Sequence, residues 1–216
     1  MIVAIDGPAA AGKGTLASRL AAALGFAHLD TGALYRAAAL ALSRCGGDPT
    51  DPDAAAAAAS AIVAGDLHDP ELRADQTAQI ASQIAAYPAV RAALLDYQRQ
   101  FAADPPGGAD GTVIEGRDIG TVVFPHAERK IFVDADLEVR AERRHRELVG
   151  RGIAADASVV RADMRARDAL DRERPASPLV PAGDAYLLDT SNLDIDSAFA
   201  AAMGYVLDGG HRPAQK

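Results

Sequence analysis

Tryptophan is missing altogether, and aromatic residues make up only 5% of the chain. A core must therefore be built from Ala, Leu, Val and Ile, and the 49% apolar share is ample for one. That share also excludes a chain disordered throughout. Cysteine is nearly absent: Cys45 alone can form no internal disulfide, and no Cys/His cluster has zinc-ligand spacing. Long hydrophobic runs are lacking too. The longest, Ala54 to Ala64, is interrupted by Ser60 and falls short of the roughly 18 to 20 apolar residues that cross a bilayer. Met1 to Ile5 meets Asp6 without a basic segment, so a secretory signal is not expected. These absences predict a cytoplasmic protein with no membrane partner. Positive charge is also short, with 22 Lys and Arg against 30 Asp and Glu and a net charge of −8. A long polyanion would be repelled, and few aromatics are available for base stacking, so no nucleic-acid partner is expected.

The 216 residues fit one domain with an inserted piece, or two small ones. Met1 to Ile5 is a short apolar run ending at Asp6-Gly7-Pro8, after which Leu16, Leu20 and Leu24 recur at helical spacing up to Gly25. Strand, loop and helix follow one another. Phe26 to Leu29 begins a second such unit, with Asp30-Thr31-Gly32 as its loop and Ala33 to Arg44 as its helix. From Cys45 to Phe101 no strand is evident; Pro52-Asp53 can open an Ala-rich helix, and two helices flank Pro88. Further β-type runs stand at Thr112–Glu115, Lys130–Val133 and Tyr186–Leu188, a closing helix runs from Asp194 to about Leu207, and a frayed tail is expected from Gly209. No repeat is visible. This alternation predicts an α/β fold with a parallel sheet covered on both faces and its ligands at the carboxyl ends of the strands. Asp6-Gly7, Asp30-Thr31, Gly116-Arg117-Asp118 and Asp189-Thr190 would converge there.

One loop carries specific chemistry. Gly7-Pro8-Ala9-Ala10-Ala11-Gly12-Lys13-Gly14-Thr15 satisfies the pattern G-x-x-x-x-G-K between a predicted strand and a predicted helix. Its amides would cradle phosphates at a helix N-terminus, with Lys13 on the outer phosphates, so a bound nucleoside triphosphate is implied. The residue after the lysine is Gly14, where the strict motif has a magnesium-binding hydroxyl; Thr15 supplies one a place later, and Mg2+ would be held mostly through water. The positive charge is also concentrated. Ten arginines lie between Arg140 and Arg174 together with seven acids, giving +3 there and −11 in the rest of the chain. This points to a small anionic ligand, or to a solvated helix laced with (i, i+4) ion pairs. The five histidines show no ligand spacing.

Gly-Lys-Gly-Thr is a spelling found in nucleoside monophosphate kinases. Together with Leu29 to Arg36, Ala81-Ser82-Gln83 to Arg91, Gly116-Arg117-Asp118-Ile119-Gly120-Thr121 and Arg167-Asp168-x-x-Asp171-x-x-Arg174, it makes the chain resemble the bacterial cytidylate kinases. The resemblance implies a P-loop three-layer fold with a central parallel sheet, a helical monophosphate-binding insert and an arginine-rich lid. The core would comprise residues 1–44, 101–149 and 175–216, the insert 45–100 and the lid 150–174. It implies ATP as phosphoryl donor with Mg2+, and CMP and dCMP as acceptors. Arg36 and Arg117 would clasp the acceptor phosphate, with Thr31 and Tyr35 beside them. Ser82, Arg91 and Asp118 would face cytosine, while Arg167, Asp171 and Arg174 would reach in from the lid. Lys13, Arg36, Arg117, Arg167 and Arg174 form the catalytic set, and a monomer is expected.

The spacing of Arg167, Asp171 and Arg174 equally suits an intrahelical ladder of ion pairs. A kinase acting on UMP, AMP or another small molecule on the same scaffold, and a non-catalytic nucleotide switch, are the alternatives; an Asn-Lys-x-Asp guanine motif is absent. Two departures from the family pattern stand out. Gly65 to Pro70 leaves no room for a small antiparallel sheet in the insert, and Leu170 lies in the lid where a charged residue would be unsurprising. The Gly150-Arg151-Gly152 turn is the expected hinge.

Overall fold

The computed structural model describes residues 1–209. The tail expected to fray lies, past Gly209, outside the described residues. In order, the elements are β1 (Ile2–Asp6), α1 (Lys13–Leu24), β2 (Ala27–Asp30), α2 (Thr31–Arg44), α3 (Pro52–Ser60), α4 (Asp75–Ile84), α5 (Pro88–Ala103), β3 (Thr112–Gly116), β4 (Arg129–Asp134), α6 (Leu137–Gly150), α7 (Ala157–Glu173), β5 (Tyr186–Asp189) and α8 (Ile195–Leu207). Short 3-10 turns occupy Ala64–His68, Pro70–Arg73 and Pro106–Gly108, and a π-helical turn spans Ile119–Val123. The described chain divides into two compact units, residues 1–28 with 107–209, and residues 29–106.

The first unit is built on a sheet with strand order β2-β3-β1-β4-β5, in which β1 runs parallel to β3 and β4, and β4 parallel to β5. This is the P-loop α/β fold. Its strands read as unbroken apolar runs because both faces are covered. On one face Val3, Ile5, Val113, Ile131, Val133 and Leu188 pack against Leu16 and Leu20 of α1 and Ala202 and Tyr205 of α8. On the other, Phe132 packs with Leu179 and Ala185. Full burial of a side chain such as Leu20 is worth about 1.5–3 kcal/mol. The Ala, Leu, Val and Ile core that the composition requires is what forms. α6 and α7 join through Ala141, Leu148, Val160 and Met164, and the turn between them is closed by Gly152 at φ 74°.

The second unit is helical. Ala33, Ala37 and Leu40 of α2 pack with Leu72, Ala55 and Ala59 of α3 are buried, and so are Ile84 of α4 and Val90 and Leu94 of α5. Alanine at these positions lets helix backbones approach closely, which explains how a chain so poor in aromatics still fills its interior. The unit is wider than the insert read from the sequence, because α2 packs on α3 and α4. α2 also begins at Thr31, not Ala33: Asp30 caps it by accepting a hydrogen bond from the Ala33 amide. Among the described residues, 31–106 contain no strand, and the stretch Gly65 to Pro70 is taken up by 3-10 turns.

Candidate functional site

The phosphate loop follows β1 directly. Gly7 adopts φ 147°, and a Cβ there would lie 1.9 Å from the Val133 carbonyl oxygen. Only glycine lets the backbone leave the sheet so close to β4. Gly12, at φ 95°, ends the loop as the residue that precedes α1. Lys13 opens that helix, is buried, and donates from Nζ to the Pro8 carbonyl at 2.7 Å, so its ammonium is held across the loop. Thr15, in the first turn of α1, is exposed.

The next strand in the sheet delivers the second group of residues. β1 and β3 are in register with Asp6 opposite Gly116, so Gly7 and Arg117 leave neighbouring parallel strands at the same end. Arg117 Nε donates to Asp171 of α7 at 2.8 Å. Burial pushes the Asp171 carboxyl up, but the charge and hydrogen bond of Arg117, with Arg167 and Arg174 behind it, outweigh this and hold it below the usual carboxylate value. Arg174 Nη2 lies 3.9 Å from Asp118 Oδ1, and its Nε donates to the Ser177 carbonyl. Five of the residues singled out from sequence, Arg117, Asp118, Arg167, Asp171 and Arg174, thus form one cluster of three guanidinium groups and two buried carboxylates. The (i, i+4) reading holds for other members of the arginine-rich stretch: Arg146 pairs with Glu142 and Arg151 with Glu147, all on α6 or at its end.

Within the helical unit, Arg36 Nη2 donates to Asp30 Oδ2 at 2.7 Å. Tyr35, its neighbour on α2, accepts at its hydroxyl from Arg91 Nη1 of α5 at 3.3 Å. Thr31 is buried at the start of α2. Ser82 on α4 is half-buried and donates to the Ala78 carbonyl. Arg36 and Arg91 are therefore held by side chains of their own unit and do not stand out as solvated surface charges.

Three side chains to which the sequence reading gave no role, Glu115, Arg140 and Arg143, join the first group, together with Thr190 from the Asp189-Thr190 segment expected there. Glu115, the residue before Gly116, is buried; its Oε1 lies 3.5 Å from where a Cβ of Gly14 would stand and 3.1 Å from His28 Nε2 of β2. A lone acid ending an apolar run was the available signal. Arg140 of α6 is almost wholly buried, with a fork on Asp168 of α7 (Nη2 to Oδ2, 2.6 Å) and a longer contact from Nη1 to the Ala9 carbonyl at 3.4 Å. It ties the two arginine-rich helices to the phosphate loop. Arg143 donates to the Thr190 carbonyl at 2.6 Å, while Thr190 Oγ1 donates to the Ala11 carbonyl at 3.0 Å. The turn before α8 is braced on the same loop.

The donor set also bears on a divalent cation. Thr15 and Glu115 offer hard oxygen ligands beside the loop, while among the described residues no group of three or more His, Cys, Asp or Glu could hold a metal ion. That combination fits Mg2+ held by substrate phosphates, water and one or two side chains, and does not fit an all-protein metal cage. Among the described residues, no helix is long and apolar enough to cross a membrane.

Comparison with known proteins adds independent findings. The family model described as cytidylate kinase matches residues 3–207. A cytidylate kinase of Paramagnetospirillum magneticum is 58% identical over 95% of this chain and 97% of its own length. One from Bradyrhizobium diazoefficiens is 53% identical over 95% of each chain. Among solved structures, an uncharacterized protein from Eubacterium ventriosum matches with a TM-score of 0.54 and 14% identity, covering 95% of this chain and 98% of that one; at that identity the likeness concerns the fold alone.

Proposed function

The chain belongs to the cytidylate kinase family, and from that premise we propose that it transfers the γ-phosphoryl group of ATP to CMP and dCMP, giving ADP and CDP or dCDP. The observation that carries the reading furthest is the register of β1 and β3, which sets a phosphate loop and a guanidinium-carboxylate cluster side by side at the carboxyl ends of two neighbouring central strands. A phosphate acceptor has a second pKa near 6, so it is already an anionic nucleophile at neutral pH and needs no general base. The chemistry instead requires two repelling phosphates to be held in line with cationic groups around them. Lys13 and the loop amides serve the donor. Arg36 and Arg117 clasp the acceptor phosphate, with Thr31 and Tyr35 beside it, and Arg167 and Arg174 add positive charge from α7. Thr15 and Glu115 are the residues that would hold Mg2+, and the ion, when bound, would supply further charge neutralisation at the donor phosphates.

Base selection falls to Asp118, Arg91 and Ser82. Cytosine presents an amino donor at N4 beside acceptors at N3 and O2, so a carboxylate and a guanidinium complement it, while uracil leaves both imperfectly paired. Asp171, with Arg167 and Arg174, shares the sugar, base and phosphate contacts from the lid. Residues 45–100 act as the monophosphate-binding insert and 150–174 as a lid turning about Gly150-Arg151-Gly152, which excludes water from the reacting phosphates. The enzyme works as a cytoplasmic monomer without nucleic-acid partners.

A coupled assay of ADP release with CMP, dCMP, UMP, AMP and shikimate tests this. CMP and dCMP are expected far ahead, and Asp118→Ala is expected to lose discrimination between CMP and UMP more than affinity for ATP. Equal rates with CMP and UMP in the parent would overturn the acceptor assignment.

A further inference from the structure

We propose that Asp6 is a positioning residue for acceptor recognition, fixing the Arg117–Asp118 loop to the base of the phosphate loop. The inference rests on the reading of Arg117 and Asp118 given above and extends it to a residue outside both nucleotide sites. Asp6 ends β1, is 5% exposed, and accepts hydrogen bonds at both carboxylate oxygens: Oδ1 from the Ile119 amide at 2.8 Å and Oδ2 from the Gly120 amide at 2.7 Å. These two amides open the π-helical turn Ile119–Val123.

The first amides of any helical turn lack partners within it, and a side chain at the preceding position normally supplies one. Here the preceding residue is Asp118, and its side chain makes no capping hydrogen bond. A carboxylate from the neighbouring strand, 113 residues earlier, does that work. The consequence is a division of labour between two buried aspartates. Asp6 holds the backbone from below, so the Asp118 side chain, which lies 3.9 Å from Arg174 Nη2, is not spent on capping its own turn. Gly7 follows Asp6 directly along the main chain, but both side-chain bonds of Asp6 go to the acceptor loop, so its carboxylate anchors that loop and not the donor loop.

The charges around Asp6 agree with this role. Burial pushes its carboxyl up to about 6; the Gly120 and Ile119 amides and Lys13 oppose the rise, while Asp118 adds to it. Lys130 runs past Gly120, but its ammonium is bound by the Pro125 carbonyl and Asp184. Asp6 is thus held chiefly by amides whose positions matter.

Asp6→Asn tests the proposal. One of its two side-chain atoms becomes a donor facing an amide N–H, so the loop should shift. ATP affinity, titrated without acceptor, is expected to change less than about threefold, while KM for CMP rises about tenfold and the CMP-over-UMP ratio of kcat/KM falls about tenfold. Gly120→Ala is the second variant and retains the charge. Its Cβ would meet Lys130 Cδ at 3.2 Å and Asp6 Oδ2 at 3.4 Å, displacing the same amide; it should reproduce the split, and it decides the matter if Asp6→Asn does not fold. Equal losses for ATP and CMP with an unchanged CMP-over-UMP ratio would overturn the proposal and leave Asp6 a purely structural residue. If the parent shows no preference for CMP, the acceptor reading fails instead.

Discussion

Substituting Asp171 by asparagine removes one charge from the middle of three guanidinium groups, and the cost can be worked from the geometry. The Asp171 side chain is 11% exposed and that of Arg117 20%, at 2.8 Å. Breaking a fully buried pair by removing one partner costs about 3–5 kcal/mol. With Arg117 partly open to water, we expect about 2–3 kcal/mol for Asp171→Asn. For a chain of this size that is about 5–10 °C in Tm. The pH dependence has a definite sign. The Asp171 carboxyl sits below the ordinary value of 3.8, so its contribution is present above that value and is lost as pH falls through the lower folded one. Thermal unfolding of parent and variant should therefore show the full gap at pH 7 and a closing gap as pH falls below about 4. Indistinguishable melting at pH 7, or a gap that stays constant into acid while both proteins remain folded, would refute the reasoning.

Three further outcomes are expected. Gly7→Ala should abolish nucleotide binding, because its Cβ would stand 1.9 Å from the Val133 carbonyl oxygen; titration with a fluorescent ATP analogue checks this, and retained binding would contradict the loop geometry. Lys13→Met should lower kcat by about 10²–10³-fold in the ADP-release assay, the usual cost of removing a group that stabilises transition-state charge. Arg140→Met should destabilise the protein by about 3–5 kcal/mol in urea titration, since it strands Asp168 in the interior, and the double change Arg140→Met with Asp168→Leu should recover most of that.

What could be read from the chain follows from where its information is local. β1, α1 and the loop between them are set by a continuous apolar run, a glycine pattern and a 3.6-residue leucine period within 25 residues, and all appear where the sequence puts them. The remaining strands were legible for the same reason. The π-helical turn after Asp118 was not, because its amides are capped by Asp6 from another strand and no residue near Ile119 announces it. α2 starts two residues early because the Asp30 cap outweighs the glycine in its first turn. Arg140 could not be told from the less buried arginines of α6, since its burial depends on Asp168 arriving from α7. Glu115 and His28 lie 87 residues apart, and only the sheet brings them together. Residue types at fixed spacing were readable; pairs assembled by packing were not.

The central claim is direct handover between a donor cradle made of amides and an acceptor pocket made of guanidinium forks. A crystal structure with a bisubstrate mimic, in which ATP and CMP are joined through their phosphates, tests it most directly. We predict the donor phosphates in the Gly7–Thr15 loop, with Arg36 and Arg117 drawn off Asp30 and Asp171 onto the acceptor phosphate. A filled donor loop with both arginines still on their aspartates, or turned to solvent, would contradict the account.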